Sequence, residues 1–173
     1  MRHLAEVLRE PLTWAQPHMF ERVFELRAGS EMVARLSFGG RFGSEARAAT
    51  ADGTWTFRRI GFWQTRATAR TAGASGDLAM FEPNTWKGGG TLRLTHGPAV
   101  VVSSNMWQST FDFRLSDGTQ LFRIRTDGML RKSATIDIAP AMDPFTAVPC
   151  LLLFGWYLVV MMHQDAASVV IVA

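Results

Sequence analysis

PFTAVPCLLLFGWYLVVMM, residues 144–162, contains no charged side chain and lies near the C-terminal end of the sequence. Its length is within the roughly 17–25 residues that an α-helix needs to cross a bilayer. A helix that is apolar on every face is either a membrane span or the core of a protein. The fold therefore depends on whether these residues, the apolar segment, lie in lipid or inside the rest of the chain.

The chain before the apolar segment is predicted to be almost entirely β-structure. Short strand-like runs are separated by turn signals, among them the Asp-Gly pairs at residues 52–53, 117–118 and 127–128, which suit tight hairpins. We predict on the order of eleven strands, in the runs MFERVFELR, EMVARLSF, EARAATA, TWTFRR, RATART, DLAMFE, TLRLT, AVVVSS, WQSTFDFRL, QLFRIRT and MLRKSATIDIA.

The strands alternate between apolar and polar residues, which places one face of each strand in a core and the other in water. The pattern is clearest at residues 111–114 (FDFR), 122–125 (FRIR) and 92–94 (LRL). A sheet of about eight strands fills its own barrel with side chains, whereas eleven or twelve strands leave a lumen. Because the inward face is apolar, the lumen needs an apolar occupant, and the sequence offers only the apolar segment.

We therefore predict a mainly β protein, a closed antiparallel barrel of about twelve strands that encloses one hydrophobic C-terminal α-helix over about residues 143–163. Residues 1–19 are expected to be a lead-in, because Pro11 and Pro17 prevent a long helix there, and residues 20–173 to form the barrel domain. The closing run VVIVA favours a last strand after the helix.

Two other locations for the apolar segment stay open. In one, the protein is tail-anchored, with residues 144–162 in the bilayer; in the other, the segment is a peripheral helix inserted into the membrane surface. Pro149 and Gly155 are not what a lone anchor needs, and Arg131 and Lys132 are too far upstream for a juxtamembrane basic cluster. These features favour burial inside the barrel.

The series of strand-like runs followed by LLLFGWYLVVMM resembles the tubby C-terminal-like superfamily, which includes phospholipid scramblases and the plant LURP-one-related proteins. The resemblance covers about residues 20–173 and suggests a bacterial-type member without an assigned activity. It implies a barrel of roughly twelve strands around a hydrophobic helix. Tubby proteins bind phosphoinositides on a basic patch, and scramblases are linked to calcium and membrane lipid. Only Asp165 follows the apolar segment as an acidic residue, which argues against calcium-dependent activity here.

Composition and charge place the chain among ordinary globular proteins. It has 18 basic and 15 acidic residues, an excess too small and too scattered for a nucleic-acid-binding surface. Cys150 is the single cysteine, so no intrachain disulfide is expected. Glu6, Arg9 and Glu10 interrupt any apolar region of a signal peptide. We therefore expect a cytoplasmic protein, peripheral at the membrane where it binds lipid.

No catalytic or metal-binding motif is visible in the sequence. The histidines are isolated, so we expect no metal site. The glycines at residues 39–43 and 88–90 are interpreted as hairpin tips, since a phosphate-binding loop would lead into a helix. Without a P-loop, a nucleophile elbow or a dinucleotide-binding motif, we expect no cofactor and no enzymatic activity. An enzyme with an unrecognised motif is an alternative.

The best candidate for a functional site is a set of arginines on the predicted outer face of the barrel: Arg58, Arg93, Arg114, Arg123 and Arg125, with Arg66 and Arg70 as further members. A guanidinium is planar and binds phosphate through two hydrogen bonds, so anionic lipid headgroups are the natural ligand. The competing interpretation is an ordinary exterior with cross-strand ion pairs, such as Asp112 with Arg123 or Arg125.

Trp63, Trp86 and Trp107 lie near predicted loops or strand ends. We interpret them as core residues, with an interfacial belt or a ligand rim as the alternative. The leading hypothesis for function is a non-enzymatic barrel that engages anionic membrane lipid, or an acidic partner, through outward arginines. The tail-anchored protein and the unrecognised enzyme are the competing hypotheses.

Overall fold

The protein, described by a computed structural model, is a closed barrel of twelve antiparallel strands with one long helix inside it, which confirms the predicted fold class. The structure describes residues 1–39, 43–61, 65–84, 88–127, 133–143 and 147–170. For residues 169 and 170 it describes the backbone alone. The elements are α1 (Leu4–Val7), β1 (Leu12–Ala15), β2 (Val23–Ala28), β3 (Glu31–Phe38), β4 (Ala46–Thr50), β5 (Gly53–Ile60), β6 (Arg66–Thr71), β7 (Ala79–Asn84), β8 (Gly89–Leu94), β9 (Ala99–Ser104), β10 (Thr110–Leu115), β11 (Gln120–Asp127), β12 (Ser133–Ile138), a 3₁₀ turn (Pro140–Met142) and α2 (Val148–Val170).

Each strand pairs with the next one along the chain, and β1 closes the barrel by pairing with both β2 and β12. The predicted alternation sets the register of β10 and β11, in which Phe113 faces Phe122 inside the barrel and Asp112 faces Arg123 outside it. Closure pairs both edges of every described strand, which removes the usual route to edge-to-edge aggregation.

Helix α2 fills the lumen, and residues 150–161 are buried without exception. Its aromatic side chains pack against the strands: Trp156 stacks on Trp14 at 5.5 Å between ring centroids, and Tyr157 stacks on Phe38 at 5.7 Å. The Tyr157 hydroxyl donates a hydrogen bond to the carbonyl oxygen of Ser44 at 2.6 Å. In the described chain α2 is the one helix long and apolar enough to cross a membrane, and 67% of its most apolar window is buried.

Gly155 lets the helix backbone approach the barrel wall. The rings of Phe113 and Phe122 are stacked at 4.1 Å between centroids, and a Cβ atom at position 155 would lie 3.1 Å from the ζ-carbon of each. That spacing is tighter than ordinary van der Waals contact, so a side chain at 155 would have to displace the rings. The glycine that looked unusual for a membrane anchor is therefore a packing residue.

The helix is displaced along the chain relative to the prediction. It begins at Val148, with Pro149 in its first turn, where a proline costs no helical hydrogen bond. It continues to Val170, so the predicted last strand in VVIVA is wrong for residues 169 and 170, and residues 171–173 lie outside the described residues. Residues 163–168 (HQDAAS) contain neither glycine nor proline, so nothing in them ends the helix.

Residues 1–19 are part of the folded barrel, and the boundary expected at residue 20 is wrong. Strand β1 lies within them, and α1 packs at the start of α2. Leu4 and Val7 are fully buried, and the Leu4 backbone N–H donates to the Asp52 carboxylate at 2.9 Å. Only Leu12 and Trp14 carry the alternation in β1, a pattern too short to be recognised as a strand.

Successive connections lie at opposite ends of the barrel, because each strand runs antiparallel to the next. The two ends differ in what covers them. At the capped end, α1 and the β4–β5 turn lie beside the start of α2. At the open end, the last turns of α2 leave the lumen beside the β1–β2 connection (residues 16–22) and the β9–β10 connection (residues 105–109).

Candidate functional site

Three of the predicted site arginines lie together on the outer face of β10 and β11, where carboxylates neutralise them. Arg123 donates to Asp112 at 2.6 Å, Arg114 pairs with the same carboxylate at 3.4 Å, and Arg125 pairs with Asp137 at 3.1 Å. Burial acts to raise the pKa of Asp112, but hydrogen bonds from Arg123 and Gln120 hold this pKa below its usual value. The cluster is a cross-strand ion-pair network of the kind weighed as the competing interpretation.

Arg93 and Arg58 lie elsewhere on the barrel. Arg93 on β8 shares the Glu82 carboxylate with Arg66, at 3.6 and 3.5 Å. Arg70 pairs with Asp77. Arg58 is on β5, half a circuit of the barrel away from Arg123 on β11. The structure therefore does not bring the five predicted arginines into one site.

Arg58 instead has basic neighbours on the adjacent strands β3 and β4. Arg35 on β3, Arg47 on β4 and Arg58 on β5 are exposed and occupy diagonal positions in the register of these strands. Within the described ranges, none of their three side chains forms a hydrogen bond or an ion pair. Glu25 lies opposite Arg35, but its carboxylate pairs with Arg27 at 2.9 Å. We call Arg35, Arg47 and Arg58 the basic strip.

Large exposed apolar side chains are concentrated at the open end. Phe20 is 90% exposed and Met19 54% exposed in the β1–β2 connection, while Met106 is 90% and Trp107 83% exposed in the β9–β10 connection. We call these four residues the apolar rim. Trp107 is therefore not a core residue, and Trp63 and Trp86 lie outside the described residues.

The β9–β10 connection holds its two rim residues on a fixed backbone. The Asn105 side chain accepts hydrogen bonds from the backbone N–H groups of Ser109 at 2.9 Å and Thr110 at 3.2 Å. From the helix side, His163 Nε2 donates to the Gln108 carbonyl oxygen at 2.7 Å. Met106 and Trp107 are thus exposed to solvent on a turn that these hydrogen bonds hold in place.

A cavity of about 640 Å³ lies at the open end between α2 and strands β5 to β8. Its apolar lining includes Phe81, Leu158, Met161 and Met162, and its polar lining includes Thr65, Asn84 and Gln108. The size is in the usual range of ligand pockets. A second depression of similar volume at the capped end lies between residues 8–11 and 136–143, where Arg9 and Asp143 approach to 3.5 Å.

Among the described residues that line the open-end cavity, the two cations are Arg59 and Arg66, and both are paired with carboxylates of the same lining. Arg59 Nη1 donates to Asp165 Oδ1 at 2.8 Å, and this hydrogen bond raises the pKa of Arg59 above its usual value. Arg66 Nε lies 3.5 Å from Glu82 Oε1. The charged lining is therefore balanced, and the Arg59–Asp165 pair also ties the end of α2 to β5.

Gln108 is the unusual residue of this cavity. Its side-chain Oε1 is buried and has no hydrogen-bond partner in the part of the chain that the structure describes. Its backbone φ is 50°, the left-handed region that a residue with a side chain adopts at a cost. Sequence reasoning missed Gln108, Arg59 and Met161, because no motif marks residues that meet only through the closure of the barrel.

Among the residues that the structure describes, no group of three or more His, Cys, Asp and Glu side chains is placed to hold a metal ion. His3 contacts Asp52 at 2.8 Å, and burial in the lumen raises the pKa of the Cys150 thiol to about 12. A thiol with so high a pKa is a poor nucleophile.

Comparison with known proteins gave no relative: no family model matches the chain, and no curated protein or solved structure matches it significantly.

Proposed function

We propose that the protein is a non-enzymatic binding module that docks with the open end of its barrel on an anionic membrane surface. The observation that carries the proposal is the apolar rim, above all Phe20 and Trp107, which are almost fully exposed in two connections at the same end. Aromatic side chains favour the boundary between lipid and water. Single side chains on separate loop tips suit insertion into a lipid surface better than a flat protein interface.

The basic strip supports a preference for anionic lipid. Arg47 and Arg58 lie on neighbouring strands toward the open end and carry no partner within the described part of the chain. Each cation near an anionic surface contributes about 1 kcal/mol. Glu45, which precedes β4, offsets part of this charge. Arg93, Arg114, Arg123 and Arg125 are expected to contribute less, because carboxylates already neutralise them.

We also propose that the chain belongs to the tubby C-terminal-like superfamily. The support for membership of the tubby C-terminal-like superfamily is the architecture, a twelve-stranded barrel around a hydrophobic helix, which the resemblance implied. Membrane docking does not depend on it, since the argument rests on side chains of this chain.

Vesicle co-sedimentation of the full chain tests the docking proposal. We expect the protein to pellet at low salt with phosphatidylcholine vesicles that contain phosphatidylglycerol, and less with phosphatidylcholine alone. The double variant F20D/W107D should lose pelleting. Val101→Asp is the matched control, because Val101 is 42% exposed on the barrel wall outside the apolar rim.

Arginine variants show which basic surface gives the preference for anionic lipid, the basic strip or the β10–β11 face. Arg47→Ala with Arg58→Ala should remove the preference for phosphatidylglycerol, whereas Arg123→Ala should leave it unchanged. Loss of the preference in Arg123→Ala alone would favour the predicted β10–β11 face instead. If the unmodified protein stays in the supernatant with anionic vesicles at low salt, docking is wrong, and an acidic protein partner becomes the better hypothesis.

A further inference from the structure

We infer that the end of α2 positions the apolar rim: it holds the β1–β2 and β9–β10 connections in place, so that Phe20 and Trp107 meet a membrane together. Three consecutive residues of α2, His163, Gln164 and Asp165, make the contacts that carry the inference. We call these three residues the α2 clamp. The inference deepens the proposed docking and rests on it, because the clamp acts through the rim residues.

Two residues of the α2 clamp contact the connections that carry the apolar rim. His163 Nε2 donates a hydrogen bond to the carbonyl oxygen of Gln108, the residue after Trp107, at 2.7 Å. Gln164 Oε1 accepts a hydrogen bond from Nη2 of Arg22, in the β1–β2 connection, at 3.0 Å. Both rim connections are therefore joined to the same helix end.

The third residue of the α2 clamp fixes the helix end against the barrel wall. Asp165 accepts a hydrogen bond from Nη1 of Arg59, on β5, at 2.8 Å. Around the barrel, the β9–β10 connection, the β1–β2 connection and β5 follow one another at about a third of a circuit, and successive side chains of an α-helix point about 100° apart. A helix inside the barrel can therefore reach all three places with consecutive residues.

Arg22 joins the α2 clamp to a further part of the open end. Its Nη1 donates to the carbonyl oxygen of Gly43, which precedes β4, at 2.6 Å. Its guanidinium carbon lies 4.3 Å from the centroid of the Phe38 ring on β3. Gln164 therefore contacts a side chain that other parts of the barrel already hold, and the β1–β2 connection is fixed at its last residue.

A fixed position of the apolar rim favours docking for an energetic reason. Loops that become ordered only on binding lose conformational freedom, which weakens the complex. In the β9–β10 connection, the Asn105 side chain and His163 already hold the backbone. The α2 clamp lies beyond the buried residues 150–161 of the helix, so replacing one of its side chains leaves the packing of the lumen intact.

Hydrogen–deuterium exchange on the full chain tests whether the α2 clamp holds the connections. His163→Leu removes the donor and should speed amide exchange at residues 105–110. Gln164→Ala should speed exchange at residues 16–22 instead. His163→Gln keeps an N–H group that can donate to the same carbonyl oxygen and should restore slow exchange. Equal exchange rates in His163→Leu and the unmodified chain would overturn the inference.

Vesicle co-sedimentation over a range of lipid concentrations tests the effect on docking, with phosphatidylcholine vesicles that contain phosphatidylglycerol. His163→Leu should weaken binding about 5-fold, the effect of one lost hydrogen bond, and His163→Gln should restore it. Ser168→Ala is the control and should leave binding unchanged, because the Ser168 hydroxyl donates within the helix, to the Gln164 carbonyl oxygen at 2.9 Å. Thermal unfolding of each variant confirms that it is folded.

A double-mutant cycle separates positioning of the rim from a general loss of stability. In a Trp107→Ala background, His163→Leu should weaken binding by less than about 2-fold, because the rim residue that it positions is gone. In a Phe20→Ala background, the same substitution should keep its effect of about 5-fold. Equal effects in the two backgrounds would overturn the inference.

The two measurements distinguish a failure of the inference from a failure of the proposed docking. If the unmodified chain binds no vesicles, the proposed docking is wrong, and the exchange rates alone decide whether the α2 clamp holds the connections. If the unmodified chain binds vesicles and His163→Leu binds them equally well, docking stands and the inference is overturned.

Discussion

The capped and open ends of the barrel treat their apolar side chains in opposite ways. At the capped end, α1 buries Leu4 and Val7 completely and is held by the Asp52 carboxylate and by Arg2, which pairs with Glu31 at 2.8 Å. At the open end, Phe20 and Trp107 project into solvent. At one end the chain therefore buries the apolar side chains of α1 itself, and the other carries apolar side chains without a partner among the described residues. This difference is the reason why we propose docking at the open end.

The largest expected effect comes from removing the helix that joins the two ends. A chain ending at residue 143 should lose cooperative unfolding and aggregate, because the strands would surround an empty apolar lumen. Leu152→Asp, at a fully buried position, should also unfold the protein, since an unpaired charge there costs several kcal/mol of a total stability of about 5–15 kcal/mol. Circular dichroism and size exclusion measure both outcomes. A cooperative melt of the 1–143 chain would favour the tail-anchored hypothesis.

The next largest effect is expected from replacing an apolar side chain by aspartate at the capped end, compared with the same kind of replacement at the open end. Leu4→Asp should destabilise the protein by about 3 kcal/mol or more, because the carboxylate replaces a fully buried side chain. Phe20→Asp should change the free energy of unfolding by less than about 0.5 kcal/mol. Urea unfolding measures both. A large loss of stability in Phe20→Asp would mean that the rim is structural and would remove the main support for docking.

A smaller effect is expected where α2 passes the barrel wall. Gly155→Ala should destabilise the protein by about 1 kcal/mol, because crowding of Phe113 and Phe122 outweighs the better helix propensity of alanine. Gly76→Ala is the control for an uncrowded glycine outside the helix, since a Cβ atom there meets no atom within 4 Å. Urea unfolding compares both variants with the unmodified protein. A stability of Gly155→Ala above that of the unmodified protein would show that the rings yield and that helix propensity dominates.

The barrel and its helix were predictable from the sequence because both depend on local pattern. Period-two alternation identifies β10 and β11, and uninterrupted apolarity identifies α2. The four-residue strand β1 was missed because two alternating residues do not stand out from the background. The open-end site was missed for a different reason: Gln108 and Met161 lie far apart in sequence and meet only after closure. The arginine prediction had the outward direction right. The pairing of Asp112 with Arg123 was foreseen only as the competing interpretation, and the pairing of Glu82 with Arg66 and Arg93 was not foreseen.

The smallest effect concerns the pH dependence of the capped end. Hydrogen bonding to Asp52 raises the pKa of His3, with a further contribution from Glu6. Burial acts to raise the pKa of Asp52, but hydrogen bonds from the Leu4 N–H and His3 bring it below its usual value. The contribution of His3 is therefore complete below about pH 6.5 and is lost as the pH rises through its folded pKa. The contribution of Asp52 is present above about pH 3.9 and is lost as the pH falls through its own folded pKa.

These opposite limits predict that α1 is held most firmly between about pH 4 and pH 6.5. His3→Gln should lower the melting temperature slightly at pH 5.5, by less than about 2 °C because the His3 imidazole is largely exposed to solvent, and should have no effect at pH 8.5. Phe20→Gln is the control at the other end and should leave the melting temperature unchanged at both pH values. An effect of His3→Gln that grows toward pH 8.5 would contradict this account, because a neutral imidazole would then be the form that secures the capped end.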